Sequence, residues 1–367
     1  MKLQFKHQRF QADAANTNEA DFFRQVADLL TAARRYAKRQ LDSAIATTYF
    51  EIGRLIVQRE QMGQNRAQYG KRLLKELSEY LTKQYGKGFS VVNLQSIRKF
   101  YQVYAVSAEK QQTVSAIFNL SWSHYQILMR VENEAARRFY EIETENQQWS
   151  VRQLQRQVSS SLYERLALSR DKDQVMELAN DGQVVENPQD IFKTPYIFEF
   201  TGLEERTQYS ETELEQALID NMQAFLLELG KGFLFEARQK RFTFDEDSFF
   251  VDLVFYNRLL QCYVIIDLKV GKMKHQDLGQ MLMYVNYFDR YVKKDFEKPT
   301  IGILLSGHRK EKIVELTLPE NSNIYASEYS LYLPDKSLLQ SKLAQWIEEF
   351  EEKQELHNLE KETGDST

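Results

Sequence analysis

The stretch YVIIDLKVGK, residues 263–272, decides the fold of this chain. Its first four residues are uncharged and predict a buried strand, and Asp267 and Lys269 stand at the end of that strand. Residues i and i+2 of a strand point to the same face, so the carboxylate and the ammonium group lie side by side. Because unpaired charge is costly to bury, the pattern indicates a binding partner for these groups.

A second strand is predicted from FFVDLVFY, residues 249–256, which a short loop joins to the first strand as a hairpin. For any even loop length, Asp252 lies opposite or diagonal to Asp267 and on the same face as Lys269. The other face carries only apolar residues and is predicted to be core: Val251, Leu253, Phe255, Val264, Ile266 and Leu268.

Asp252 and Asp267 would repel each other unless a divalent cation lay between them. A small number of oxygen ligands, with room left for water, suits Mg²⁺ or Mn²⁺. Lys269 can then help to activate the attacking water or neutralise a phosphate. The alternative is a structural ion pair between Asp267 and Lys269 at a strand end, and the residues alone leave both interpretations open.

Two predicted helices flank the hairpin and carry further polar groups. In the helix 210–229, Glu215 borders the apolar stripe and can reach inward as a third carboxylate. An ordinary first-turn acid, favoured by the helix dipole, is an equal alternative. In the helix 276–289, Gln280 and Tyr284 lie four residues apart on one face and can bind a phosphate or orient an acid.

The order of these elements resembles the PD-(D/E)xK nuclease superfamily, and the spacing of Gln280 and Tyr284 is similar to the signature of its RecB-type branch. Val251 stands where the superfamily usually has proline, and Asp267 stands where glutamate is commoner. Further motifs, spread over residues 20–350, resemble the YhcG-type family of bacterial proteins: YFEIGRLIVQ, YGKRLLKELSEYL, LSWSHYQIL, RRFYEIE and QWSVRQLQRQVSSSLYERL.

The resemblance implies an all-α N-terminal domain and an α/β C-terminal domain of the restriction-endonuclease-like fold, with a central mixed sheet flanked by helices. It implies that Lys269 acts near the attacking water. The implied catalytic residues are Asp252, Asp267, Lys269, Glu215, Gln280 and Tyr284. The implied metal ligands are Asp252, Asp267, the Leu268 carbonyl and Glu215.

The net charge of −5 hides an asymmetry between the two halves of the chain. Residues 1–170 hold 26 Lys and Arg against 16 Asp and Glu, whereas the remainder holds 22 against 37. A basic half indicates contact with a polyanion, although a solvated helical surface is the plainer alternative. The predicted nucleic-acid contacts are Arg34, Arg35, Lys38, Arg98, Lys99, Arg137 and Arg138.

Loss of helical periodicity near residue 170 divides the chain. We expect four parts: a helical, basic DNA-binding domain at 1–170, a linker at 171–195, a nuclease domain at 196–353 and a polar tail at 354–367. Predicted strands are 233–241, 247–256, 261–269 and 300–305, and a helix at 336–353 closes the domain. One cysteine, no long apolar run and no signal-peptide pattern predict a cytoplasmic location.

The leading hypothesis is therefore a Mg²⁺- or Mn²⁺-dependent DNA nuclease, with an endonuclease favoured over an exonuclease and a homodimer expected from the fold. The sequence leaves two alternatives open. One is a non-catalytic DNA-binding or recombination accessory protein that retains the nuclease fold. The other is an RNA nuclease, because the same chemistry cuts either backbone.

Overall fold

The computed structural model describes residues 19–61, 66–109, 118–168, 172–193, 195–204, 209–244, 246–308, 322–341 and 343. The chain divides into two compact units, residues 1–129 and 130–367. The domain boundaries expected from the sequence, at 170 and 196, stay predictions. Of the predicted helix at 336–353, residues 336–341 are helical, whereas 344–353 and the tail 354–367 lie outside the described residues.

The first unit is helical, as its three- and four-residue apolar spacing predicts. Its helices are α1 (Glu19–Gln61), α2 (Arg66–Tyr85), α3 (Val91–Glu109) and α4 (Trp122–Leu128). The second half of α1 packs against α2 and α3 around the buried residues Ile56, Leu74, Leu94 and Ile97. Across the described residues, no helix is long and apolar enough to cross a membrane.

Gly53 lies at the contact between α1 and α3. A Cβ atom there would sit 2.5 Å from the Ile97 carbonyl oxygen and 2.8 Å from Tyr101 Cβ. We expect Gly53→Ala to lower the free energy of unfolding by about 1–3 kcal/mol, because a backbone carbonyl cannot move aside alone.

Urea unfolding, followed by far-ultraviolet circular dichroism, measures this effect. The matched control is Gly279→Ala, because a Cβ there meets no described atom within 4 Å. That change should instead raise the free energy of unfolding by about 0.5–1 kcal/mol, the helix-propensity difference. Equal stability of Gly53→Ala and the wild type would contradict the described helix contact.

The second unit opens with four helices: α5 (Glu134–Gln147), α6 (Val151–Ser159), α7 (Leu162–Ala167) and α8 (Lys172–Asp181). Asn133 and Ser150 cap α5 and α6, where their side chains accept backbone N–H groups that lack a helical partner. In the described part of the remainder, a six-stranded mixed sheet is accompanied by three named α-helices and by the helical segment 336–341. The named elements are β1 (Tyr196–Ile197), α9 (Glu211–Asp220), α10 (Met222–Leu229), β2 (Phe233–Phe244), β3 (Asp247–Asn257), β4 (Cys262–Lys272), α11 (His275–Tyr287), β5 (Ile301–His308) and β6 (Ile324–Ser330).

The strands follow the order β1-β6-β5-β4-β3-β2. The pairs β2–β3 and β3–β4 are antiparallel, while β4–β5, β5–β6 and β1–β6 are parallel. The four predicted strands are confirmed, whereas β1 and β6 were not predicted. The predicted helix 210–229 is interrupted at Asn221, whose side chain donates to the Ala217 carbonyl at 3.0 Å and competes with the helical bond there.

Helices cover both faces of the sheet. One face packs on α9 and α10 through Leu253, Phe255, Val264, Ile266 and Leu268. The other packs on α11 through Val254, Ile265 and Leu304. Val251 belongs to this second cluster, so its predicted place on the face of Leu253 is wrong. The strict two-residue alternation of β3 breaks between Val251 and Leu253, where pairing with β4 begins.

Candidate active site

The β3–β4 hairpin brings the two predicted aspartates together. Leu253 pairs with Ile266 and Asn257 with Cys262, so the loop has the predicted even length. Asp252 and Asp267 lie directly beyond the Leu253–Ile266 pair, and their side chains lie close enough to interact. The Leu268 backbone N–H donates to Asp252 Oδ2 at 2.9 Å, which fixes the first carboxylate at the end of the hairpin.

Asp267 is a buried carboxylate with an incompletely satisfied oxygen. Its side chain is 4% exposed, and Oδ2 lies 2.7 Å from Lys269 Nζ. Among the described residues, none donates a hydrogen bond of normal geometry to this oxygen. Burial, followed by the negative charge of Asp252, raises the pKa of Asp267 to about 7, although Lys269 pulls it down. The two carboxylates therefore favour a further positive charge between them.

Lys269 stands between two acids. Its ammonium group contacts Asp267 and lies 3.7 Å from Glu211 Oε2 in the first turn of α9. Burial alone would lower the pKa of Lys269, but Asp267, Glu211 and Asp252 raise it above its usual range. The neighbouring acids therefore favour the charged form of Lys269. Glu211, which also accepts the Val270 N–H at 3.2 Å, was missed because only the tertiary fold brings it to β4.

Glu215 points inward, as its place beside the apolar stripe predicts, and is 3% exposed. Its carboxylate is already occupied: Arg238 Nε donates to one oxygen, and Gln239 Nε2 donates to the other at 2.5 Å. The same Gln239 nitrogen donates to Asp252 Oδ1 at 3.0 Å and so lies between the two acids. Gln239 and Arg238 were also missed. Gln239 has a left-handed backbone, with φ of 47°, which no residue pattern indicates for glutamine.

Gln280 and Tyr284 lie together on α11, as their spacing predicts. Gln280 Nε2 donates to the Tyr284 hydroxyl, which in turn donates to the Phe250 carbonyl on β3 at 2.9 Å. Tyr284 is buried, and this burial raises the pKa of its hydroxyl. The chain of bonds anchors α11 to the strand that carries Asp252. Gln280 itself is exposed.

A divalent metal fits part of the predicted ligand set. Asp252 and Asp267 meet at the hairpin end, and the Asp267 oxygen beside Lys269 suits a cation. The Leu268 N–H binds Asp252, whereas the role of the Leu268 carbonyl as a ligand stays a prediction. Within the ranges that the structure describes, however, no three His, Cys, Asp or Glu side chains form a group that could hold a metal. Glu215, bound to Arg238, is the ligand that falls short. Its metal role stays a prediction.

The predicted nucleic-acid contacts fall into two sets. Five side chains are exposed: Arg34, Arg35, Lys38, Lys99 and Arg138. The other two make internal bonds. Arg98 donates to Glu60 at 2.9 Å, and Arg137 donates to the Val131 carbonyl at 2.9 Å.

Comparison with known proteins defines the class. Residues 189–344 match the family described as the YhcG PDDEXK nuclease domain, which contains the whole hairpin, α9 and α11. Residues 25–165 match the DUF1016 N-terminal domain. The C-terminal part is thus a nuclease domain of the PD-(D/E)xK class, and the predicted combination of a helical region with a mixed α/β domain is confirmed.

The chain belongs to the YhcG family. It is 39% identical over 342 residues to the Escherichia coli (strain K12) protein "Putative nuclease YhcG", covering 86% of this chain and 91% of that protein. Two solved structures are more distant. They are a repair endonuclease from Pyrococcus abyssi (21% identity, TM-score 0.25) and an EndoMS complex with double-stranded DNA (15% identity, TM-score 0.24). Each match covers 36% of this chain and about half of the other, 50% and 51%.

Proposed function

We propose that the protein is a divalent-metal-dependent DNA endonuclease, which hydrolyses phosphodiester bonds in the cytoplasm. The observation that carries the proposal is the placement of Asp267 and Lys269 beside Asp252 at the end of one hairpin, inside a nuclease-family domain. In a nuclease domain that had become inactive, at least one of these three side chains would be expected to be replaced. The single cysteine, Cys262, is a buried free thiol and suits a reducing compartment.

Mg²⁺, or Mn²⁺ in its place, is the proposed ion. Asp252, Asp267 and the Leu268 carbonyl would hold it, and Glu215 would join only by releasing Arg238. When bound, the ion polarises the phosphate and stabilises the negative charge that develops during hydrolysis. The hard oxygen donors of the site match the preference of these ions.

Three neighbouring side chains have separate proposed roles in hydrolysis. Lys269 contacts Asp267 and lies near Glu211, so its proposed role is electrostatic: it attracts the scissile phosphate and orients water. Gln280 is exposed and can donate to a phosphate oxygen. Tyr284 is a positioning residue, because its hydroxyl is already engaged by Gln280 and Phe250.

The basic helical region would supply sequence-independent affinity for DNA. The exposed set Arg34, Arg35, Lys38, Lys99 and Arg138 provides phosphate contacts that weaken as salt rises. Arg98 and Arg137 are already bonded within the protein and would contribute less.

The test is cleavage of plasmid, linear, single-stranded and branched DNA, and of matched RNA, with Mg²⁺, Mn²⁺ or EDTA. We expect metal-dependent nicking of closed circular plasmid, which requires an endonuclease. Lys269→Met should lower the cleavage rate by about 10²–10³-fold, since it removes a charge next to the phosphate. The matched control is Lys272→Met, an exposed lysine on the same strand, which should change the rate by only about twofold.

Other outcomes select the alternatives. Faster cleavage of RNA than of matched DNA would identify an RNA nuclease. Salt-sensitive DNA binding without cleavage on any substrate, unchanged in Lys269→Met, would favour the non-catalytic DNA-binding protein.

A further inference from the structure

The first half of α1 is a long amphipathic helix whose apolar side is open. Residues 21–41 are all exposed, whereas the second half of the same helix packs into the core of the first unit. Seven large apolar side chains in this first half are between 40% and 72% exposed. We call them the α1 stripe: Phe22, Phe23, Val26, Leu29, Leu30, Tyr36 and Leu41.

The α1 stripe occupies one side of the helix. At 100° per residue its members, with Ala33 and Ala37 between them, fall within an arc of roughly 140°. Every charged residue from Asp21 to Arg39 projects outside that arc. Isolated surface apolar residues are ordinary, but a continuous stripe along six helical turns marks an interaction surface. The 3–4 spacing of Phe22, Val26, Leu29, Ala33 and Tyr36 is that of helices that pair side by side.

The charges along α1 select the orientation of the partner helix. Asp21 and Asp28 lie in the first part of the α1 stripe, and four basic residues lie near its end: Arg34, Arg35, Lys38 and Arg39. In an antiparallel pair of identical helices with a two-fold axis near residue 30, the acidic beginning of each copy lies alongside the basic end of the other. A parallel pair would instead align the basic ends of both copies. The summed fields of the two helices therefore favour the antiparallel orientation.

The size of the surface is sufficient for a pair of this kind. An aromatic side chain buries about 150–250 Å² when fully covered, and each copy offers three aromatic and four aliphatic residues that are roughly half exposed. Two copies could therefore cover on the order of 1,000–1,500 Å², the range in which stable, specific interfaces begin.

We infer that the protein forms a two-fold symmetric dimer in which the α1 stripes of two copies pair as antiparallel helices. A two-fold interface must be self-complementary, and the acidic-to-basic polarity along α1 satisfies this condition. The inference rests on the first unit alone and holds whether or not the proposed nuclease function does.

Molar mass by light scattering of the full chain tests the surface. We expect about twice the 43.4 kDa of one chain for the wild type and one chain mass for Leu29→Glu. The matched control is Val92→Glu on α3, because Val92 is 71% and Leu29 72% exposed. That control should leave the dimer intact. A monomeric wild type, or a dimer that Leu29→Glu does not weaken at least tenfold in Kd, would overturn the inference. Circular dichroism identifies a variant that is misfolded, in which case Leu30→Glu replaces it.

Engineered cysteines test the orientation, and the buried native thiol Cys262 leaves the background low. In the antiparallel pair, Leu30→Cys lies near the axis and should form a disulfide with its copy under mild oxidation. Phe22→Cys would lie about 25 Å from its copy and should not, given the 1.5 Å rise per residue. Rapid disulfide formation by Phe22→Cys and none by Leu30→Cys would indicate a parallel pair and contradict the proposal.

Discussion

Asp267→Asn is expected to reduce DNA cleavage by about 10³-fold or more while leaving the fold intact. Asparagine keeps the shape of the side chain but removes the charge that pairs with Lys269 and that would hold the metal. The measurement is the single-turnover rate of plasmid nicking at saturating enzyme, which separates the chemical step from binding. Wild-type rates in Asp267→Asn would show that the catalytic centre lies elsewhere.

The same substitution should also change stability in a pH-dependent way, which an unfolded variant could not imitate. The folded-state pKa of Asp267 is about 7, above the ordinary value of an aspartate. The folded protein therefore holds this proton more tightly than the unfolded chain does, and stability is lost as the pH rises from about 4 to 7. Asp267→Asn does not lose stability in this way as the pH rises. In the absence of metal, its melting temperature should therefore exceed that of the wild type at pH 8 but should not exceed it at pH 4.

Glu228→Gln is expected to destabilise the second unit by about 3–5 kcal/mol, the usual cost of breaking a buried ion pair. Glu228 and Arg165 are both fully buried and 2.5 Å apart, and Arg156 approaches the second carboxylate oxygen at 3.2 Å. The Ile197 N–H donates to Glu228 Oε1 at 3.0 Å, so one carboxylate ties α6 and α7 to β1. A neutral amide would leave the buried Arg165 guanidinium without its counter-charge, whereas Arg156 would keep its ion pair with Glu199 at 2.9 Å.

The stability that Glu228 contributes depends on pH in the opposite direction to that of Asp267. Burial alone would raise the pKa of Glu228, but Arg165, Lys193 and Arg156 hold it at about 2. Glu228 contributes its full stability above the pKa that this glutamate has in the unfolded chain, and the contribution is lost as the pH falls toward 2. Urea unfolding should therefore show a gap between the wild type and Glu228→Gln that narrows below about pH 4. Glu177→Gln, at an exposed glutamate on α8, is the control and should stay within about 0.5 kcal/mol.

The sequence predicted the parts of the site that local geometry determines. The two-residue period of a strand and an even hairpin loop place Asp252, Asp267 and Lys269 together without knowledge of the rest of the fold. The period of a helix likewise turns Glu215 toward the core and places Gln280 beside Tyr284. These relations connect residues within one helix or one hairpin.

The remaining contacts of the site depend on tertiary structure. Gln239 reaches Glu215 and Asp252 from a backbone conformation that is rare for glutamine, close to the irregular pairing of β2 near Phe235. Glu211 reaches Lys269 from another element. Val251 was misplaced for a related reason, since the alternation that holds along the paired part of β3 fails where β4 diverges.

The buried cluster around Glu228 could not be predicted either. A helical pattern assigns a charged residue to the solvent side unless a partner is known. Here the partners come from α6 and α7, more than 60 residues earlier in the chain: Arg165 is 63 positions away. Long-range ion pairs of this kind leave no periodic signal in the sequence.

Calorimetric titration of Mn²⁺ into the full-length chain tests the central claim most directly, because it measures the metal site without requiring the correct substrate. We expect one saturable site per chain in the wild type and none in the Asp252→Asn, Asp267→Asn double variant. Circular dichroism of that variant serves as the control for folding. Absence of saturable binding in the wild type, or equal binding in the folded double variant, would contradict a metal-dependent nuclease centre at this hairpin.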